Sequence, residues 1–160
     1  GFMIQNKINF EKNISLNERL ISKSIEHFCR PKVYPNFLKN LIKTRSDKKI
    51  TKIGCTDSSD GLFQAIHDLA KASSCKAIID YTKIPKDKNW PIGDKWDEYY
   101  FFGGEDYELV FSLPKNWAKK LSKLDTNIKE IGFFTNGEPS IEFKDNEKND
   151  LLNNSPFKHF

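Results

Sequence analysis

Apolar residues recur at intervals of three and four along several stretches of the chain, a spacing that puts them on one face of a helix. This pattern predicts helices at 16–28, 37–42, 62–73 and 114–124, and an aromatic stretch at 96–100 is assigned to a further short helix. The Arg30-Pro31 step ends the first helix. Pro114 opens the last one, since proline is tolerated in a first helical turn.

Shorter runs rich in β-branched and aromatic residues predict strands at 50–55, 76–81, 107–113, 128–134 and 140–143. The Asn136-Gly137 pair between the last two strands is typical of a tight hairpin turn, and 145–154 is predicted to be a polar loop. Helices alternate with strands and a hairpin closes the series. We therefore expect an α+β fold, with helices packed on a mixed or antiparallel sheet.

The chain length of 160 residues fits one domain with a substantial core. Residues 1–15 are polar and weakly patterned, so we assign them to a linker or fragment boundary and 16–160 to the domain. The aromatic residues, 13 Phe, 5 Tyr and 3 Trp, supply much of the bulk that the core requires.

Charge and composition argue against several classes of function. The net charge of +4 is spread along the chain and is too weak to indicate a nucleic-acid partner. No apolar run approaches the roughly 20 residues of a membrane span, so we expect no membrane partner. The 3 cysteines are odd in number and form no C-x-x-C pair, which favours a reducing cytoplasm over a disulfide framework or a zinc site.

The run CTDSSDGL at 55–62 joins a predicted strand to a predicted helix. A helix N-terminus presents N–H groups and the positive end of the helix dipole, which suit phosphate. Since Asp57 and Asp60 would repel phosphate, the functional interpretation places Mg²⁺ between them and phosphate, with Ser59 on a phosphate oxygen. The competing interpretation is that Ser59 or Asp60 caps the helix and Asp57 is a turn residue.

The run GGEDYEL at 103–109 forms a second acidic cluster. Its paired glycines permit tight backbone geometry and leave room for a ligand. Glu105 and Asp106 are candidates to accept hydrogen bonds from a polar substrate; the alternative is an acidic, hairpin-like turn without a ligand. The sequence supports no Ser-His-Asp arrangement and contains no G-x-x-x-x-G-K-[ST] loop, so we assign no catalytic residue.

Together, the runs at 57–62 and 103–109 resemble the carboxy-terminal half of thiamine-monophosphate kinase in their order and in the gap between them. Residues 27–31 and the terminal 157–160 also resemble that family, and the likeness covers about 16–160. It implies the fold of the carboxy-terminal domain of the PurM-like superfamily, to which aminoimidazole ribonucleotide synthetase belongs.

The resemblance implies a kinase that transfers the γ-phosphate of ATP to thiamine monophosphate, giving thiamine diphosphate, with Mg²⁺ as cofactor. It implies that Asp57 and Asp60 bind Mg²⁺ and that Ser59 contacts ATP. Glu105 and Phe157 would contact the thiamine substrate. Donor and acceptor are both phosphates, so catalysis would depend on positioning and electrostatic stabilisation.

The family's amino-terminal domain supplies most Mg²⁺ ligands, the bulk of the ATP site and the usual dimer interface, and the sequence does not contain it. We therefore expect the chain alone to be inactive and the full-length enzyme to be a homodimer. Pro156 also stands where the family usually has glycine, next to Phe157, and 32–35 departs from its usual P-x-P-R.

Two alternatives stay open from the sequence. One is another PurM-like, ATP-dependent enzyme, similar to aminoimidazole ribonucleotide synthetase or selenophosphate synthetase; the GGEDYEL run argues against it. The other is a non-catalytic binding or assembly module that recruits a partner through apolar surfaces left uncovered without the other domain.

Overall fold

A computed structural model describes residues 17–30, 34–45, 47–49 and 53–153. Within these ranges the helices are α1 (Glu18–Cys29), α2 (Phe37–Thr44), α3 (Leu62–Ala72), α4 (Asp94–Phe102) and α5 (Lys115–Leu124). The strands are β1 (Gly54–Asp57), β2 (Cys75–Ile79), β3 (Leu109–Ser112), β4 (Gly132–Asn136) and β5 (Ser140–Phe143). Two 3₁₀ segments, Tyr81–Lys83 and Asn146–Asn153, complete the regular structure of these ranges. The boundary predicted at 1–15 lies outside the described residues.

The fold class predicted from the sequence is confirmed: helices pack on mixed and antiparallel strands. Each predicted helix is present, with ends shifted by a few residues. The Asn17 side chain caps α1, where its Oδ1 accepts from the N–H groups of Arg19 and Leu20 at 2.9 and 3.4 Å. The described parts of the chain contain no helix with the length and apolar character that a membrane crossing requires.

The larger sheet has the strand order β4-β2-β5, which contradicts the predicted hairpin. β2 lies between the two later strands, antiparallel to β4 and parallel to β5. The Asn136-Gly137 step therefore carries the chain across the end of β2 instead of turning it back onto its neighbour. Gly137 has a φ of 151°, and a Cβ there would lie 3.3 Å from that of Lys76 on β2.

The smaller sheet pairs β1 with β3 in antiparallel register, with Asp57 opposite Leu109. β1 ends at Asp57, two residues later than predicted, and β3 is shorter than the predicted range 107–113. β3 begins at Leu109 and not at Tyr107, because Tyr107 has a φ of 52°, outside the extended region. The two acidic runs thus meet at one end of this sheet.

The main core lies between α3, α4 and the three-stranded sheet. Phe101 of α4 is fully buried, and its ring lies 5.0 Å from that of Phe143 on β5, centroid to centroid. A smaller core beneath α2 and α5 is built on Leu41, Trp117 and Leu121. The region predicted as a polar loop at 145–154 instead contains the second 3₁₀ segment, because Leu151 is buried in the main core.

A polar contact beside the main core anchors α4, the helix that leads into the second acidic run. Lys86 Nζ donates to Asp97 Oδ1 at 2.8 Å and to the Tyr81 hydroxyl at 2.6 Å. The same ammonium lies 4.1 Å from the centre of the Tyr81 ring. Burial, and then the hydrogen-bonded Asp97, raises the pKa of Tyr81, which therefore keeps its proton.

Candidate functional site

The two acidic runs are joined directly by backbone hydrogen bonds, although the bonded residues Ser58 and Glu108 are 50 positions apart in the sequence. The Glu105 N–H donates to the Ser59 carbonyl at 2.7 Å, and the Ser58 N–H donates to the Glu108 carbonyl at 2.9 Å. The Ser58 hydroxyl, which is almost fully buried, accepts from the Glu108 N–H at 3.1 Å. These contacts bring the sequence-predicted Ser59 and Glu105 into one site.

Two glycines permit the close approach of the runs. A Cβ on Gly104 would lie 2.4 Å from the Ser59 carbonyl oxygen, and one on Gly61 would lie 2.7 Å from the Phe102 carbonyl oxygen. Neither distance is compatible with a real side chain, so each run presents a bare backbone to the other. Gly61 and Gly104 are thus explained by this close approach, whereas a Cβ on Gly103 would instead meet the Tyr99 carbonyl oxygen of α4.

The predicted helix cap at Ser59 or Asp60 is wrong. Gly61 occupies the N-cap position of α3 with a φ of 96°, which places Ser59 and Asp60 before the cap. Ser59 Oγ lies 3.3 Å from Asp57 Oδ1, to which it donates. Since Asp57 and Asp60 are exposed, their carboxylates are accessible at the helix N-terminus.

The second run has an unusual backbone. Glu105 and Tyr107 have φ values of 68° and 52°, a left-handed conformation that non-glycine residues rarely adopt. Such residues persist where the surrounding structure holds them, and they concentrate at ligand sites. The segment leads from α4 to β3 without a hairpin, so the predicted hairpin-like acidic turn is also wrong.

Two residues that the sequence did not place in the site contact the second run. His27 of α1 has Nε2 2.9 Å from the Asp106 carbonyl oxygen and 3.8 Å from Glu108 Oε1. The Tyr34 hydroxyl donates to the same Glu108 oxygen at 3.4 Å. Burial and the Glu108 carboxylate raise the pKa of Tyr34. The resemblance at 27–31 was the sequence signal for His27, and Tyr34, in the stretch 32–35 that departs from the family pattern, had none.

The described residues do not bring three or more His, Cys, Asp or Glu side chains together as a metal site. Asp57 and Asp60 supply hard oxygen ligands of the type that Mg²⁺ accepts, and it commonly completes its shell with phosphate oxygens and water. Their chemistry fits Mg²⁺ held jointly with other groups. Phe157, the other predicted substrate contact, lies outside the described residues.

Fold and site together define an α+β domain with two exposed carboxylates beside a helix N-terminus, an arrangement suited to metal-bridged phosphate. No protein-family model matches the chain. Curated relatives nevertheless include the thiamine-monophosphate kinase of Prochlorococcus marinus, 34% identical over 149 residues that cover 93% of this chain and 45% of the relative. The enzyme of that name from Buchnera aphidicola subsp. Schizaphis graminum is 30% identical over an alignment of 171 residues, which covers 100% of this chain and 48% of the relative.

Solved structures agree in fold. AaThiL complexed with AMPPCP and TMP aligns with a TM-score of 0.58 and 24% identity, over 89% of this chain and 41% of AaThiL. Thiamine-monophosphate kinase from Stenotrophomonas maltophilia K279a aligns with a TM-score of 0.51 over 57% of this chain. The resemblance to the thiamine-monophosphate kinase family is confirmed by the curated relatives, and the solved structures agree with the fold. The chain spans about half the length of the curated relatives it matches.

Proposed function

We propose that this chain forms one wall of the active site of a kinase that uses ATP to convert thiamine monophosphate into thiamine diphosphate. The observation that carries the proposal is the direct joining of the two family motifs through the Glu105 N–H and the Ser59 carbonyl. The sequence relatives favour this substrate class over the purine and selenophosphate alternatives.

Each candidate residue has a separate task in this proposal. Asp57 and Asp60 hold Mg²⁺, which when bound offsets the charge of the donor and acceptor phosphates. Ser59 contacts ATP beside them, and the N-terminus of α3 directs its positive dipole end towards the phosphates. Glu105 orients thiamine monophosphate from the second run, and Phe157 packs on its heteroaromatic ring.

The arrangement works by alignment and not by covalent catalysis. Ser59 Oγ is already oriented by Asp57, and Glu105 is held by the Ser59 carbonyl. A nucleotide contact and a thiamine contact are thus held on adjacent backbone segments, which fixes the geometry between donor and acceptor. Holding two reactants in a productive geometry accounts for a large part of such rate accelerations.

The proposal includes a partner and a compartment. The remaining Mg²⁺ ligands and most of the ATP site would come from an amino-terminal domain of the same protein, through which the full-length enzyme would form a homodimer. Cys29, Cys55 and Cys75 are all free thiols, which agrees with a reducing cytoplasm.

The central test is Asp57→Asn in a protein that contains both halves of the enzyme. Losing a metal ligand should lower turnover by about a hundredfold or more, while the unfolding midpoint in urea stays close to that of the wild type. Asp68→Asn, an exposed change in the middle of α3, is the matched control and should leave turnover unchanged. Equal turnover in Asp57→Asn and wild type would overturn the proposed metal role.

A second test concerns the chain by itself. Because two carboxylates do not complete a multi-metal site, the purified 160-residue chain should release no ADP from ATP in response to thiamine monophosphate. Production of ADP that depends on thiamine monophosphate would contradict the need for the amino-terminal half.

A further inference from the structure

We propose that His27 is a positioning residue that holds the left-handed backbone segment at 105–107 and thereby sets the direction of Glu105. The inference rests on the proposed function, in which Glu105 contacts thiamine monophosphate. It assigns a role to a side chain of α1, an element that precedes both acidic runs in the sequence.

The contact between His27 and the Asp106 carbonyl identifies which ring nitrogen of His27 carries hydrogen. A backbone carbonyl oxygen can only accept, so the 2.9 Å contact with the Asp106 carbonyl requires His27 Nε2 to carry hydrogen. The Glu108 carboxylate, 3.8 Å from the same nitrogen, adds an electrostatic preference for a hydrogen-bearing Nε2. His27 therefore acts as a directed donor to the middle of the segment.

The segment depends on such a contact because its conformation is locally unfavourable. Residues on both sides of Asp106 have positive φ, which their own side chains disfavour. Two further contacts, from the Glu105 and Glu108 N–H groups, attach the ends of the segment to Ser59 and Ser58. His27 contacts the Asp106 carbonyl, which lies between these two attachments, and so restrains the middle of the segment.

The role of His27 can be separated from the docking of α1. Leu20 of that helix is buried, and Lys23 Nζ forms an ion pair with Asp87 Oδ2 at 2.8 Å. Asp87 lies in the loop before α4 and outside both acidic runs. Lys23→Ala therefore weakens the attachment of α1 without removing the donor to Asp106.

The first experiment measures amide hydrogen exchange by NMR in the 160-residue chain. His27→Ala should speed exchange of the Glu105 and Glu108 N–H groups by on the order of fivefold, the effect of one lost hydrogen bond. His27→Gln should restore slow exchange, since its side-chain N–H₂ reaches about as far as Nε2. Lys23→Ala should leave both amides close to wild type.

The second experiment measures steady-state kinetics in a protein with both halves. His27→Ala should raise KM for thiamine monophosphate by about fivefold while KM for ATP stays the same, and His27→Gln should recover most of the loss. A merely structural role would move both KM values together.

Three results would overturn the inference: unchanged exchange in His27→Ala, equal effects of Lys23→Ala and His27→Ala, or equal increases in both KM values. Failure of the proposed function looks different. In that case the wild-type protein with both halves would not phosphorylate thiamine monophosphate, while the exchange experiment would still report on the contact.

Discussion

The three-stranded sheet is buried along its central strand, whereas the two-stranded sheet is partly exposed and ends in the candidate site. Ala77 and Ile79 of β2 are 0% and 4% exposed. In β1 and β3 every position is either half-buried or exposed. Of the candidate residues that the structure describes, all lie at or just beyond the end of the smaller sheet where Asp57 pairs with Leu109.

The difference shows that the larger sheet mainly stabilises the fold, whereas the smaller sheet positions the candidate site. The larger sheet is stabilised by apolar side chains, which contribute stability roughly in proportion to the area they bury. The site end of the smaller sheet is held by backbone hydrogen bonds, bare glycines and the Ser58 hydroxyl. Substitutions should therefore destabilise the two regions for different reasons, chiefly lost apolar packing in the larger sheet and lost backbone contacts at the site. Four predictions test this, from the largest effect to the smallest.

The largest effect should come from the main core. Phe101→Ala removes a fully buried ring that contacts Phe63, Phe102 and Phe143, and it should lower the free energy of unfolding by about 3–5 kcal/mol. Urea denaturation followed by Trp fluorescence measures the loss. Phe133→Ala, at a ring 60% exposed on β4, is the control and should cost less than about 1 kcal/mol. Similar losses in both variants would contradict the location of the core.

The second prediction compares a glycine in each region. Gly104→Ala and Gly132→Ala each place a Cβ within 2.4 Å of a carbonyl oxygen, that of Ser59 or that of Ile78. Each should cost about 1–3 kcal/mol of unfolding free energy. Gly104→Ala alone should release the Glu105 amide to fast hydrogen exchange. If Gly132→Ala did so equally, the two sheets would not be independent.

The third prediction concerns two adjacent serines. Ser58→Ala removes the acceptor of the Glu108 N–H at a position only 3% exposed, so it should lower the unfolding free energy by about 1–3 kcal/mol. Ser59→Ala removes a longer contact with the exposed Asp57 and should stay within about 0.5 kcal/mol of wild type. Chemical denaturation of the pair provides the measurement, and a reversed order would refute the assignment.

The smallest effect concerns the attachment of α1 near the site. The Lys23 ammonium, and then the Asn89 N–H, lowers the pKa of Asp87 below its ordinary value. A carboxyl whose pKa is lower when folded stabilises the fold above its unfolded pKa, and that contribution disappears as pH falls through the folded pKa. Lys23→Ala should raise the Asp87 pKa in an NMR titration of its carboxyl carbon, and the acid-range stability should change little, since the pair is exposed. An unchanged Asp87 titration would argue against the ion pair in solution.

Local features of the fold were predictable from the sequence. The helix predicted at 62–73 is α3 (Leu62–Ala72), and its predicted stripe includes the buried Ile66, Leu69 and Ala70. Pro114 stands at the start of α5, as predicted. Such features depend on side-chain periodicity and backbone chemistry within a few residues, which a single sequence reports directly.

Strand order was not predictable in the same way. The Asn136-Gly137 pair correctly marked a turn, but turn chemistry says nothing about a third strand that enters between the two it connects. β2 occupies the central position, where the side chains of Ala77 and Ile79 are buried in the main core. That burial depends on packing between residues far apart in the chain, which a local pattern does not show.

The candidate site was predictable as residue types but not as a geometry. Asp57, Ser59, Asp60 and Glu105 were identified from their runs, and their roles stay predictions. The capping interpretation failed because Gly61 takes the cap position. The contact between the runs uses the Ser59 carbonyl, and a backbone acceptor has no signature in sequence other than the glycine that makes room for it.

The position of β2 in the middle of its sheet has a consequence for how the chain acquires its structure. During synthesis β2 emerges well before either of its neighbours, since Ala77 pairs with Phe134 on one side and Ile141 on the other. Both of its edges then stay unpaired until the last strands are made, and unpaired apolar edges are templates for association with other chains. A chain truncated before β4 should therefore aggregate once it is released from the ribosome, and it should bind chaperones.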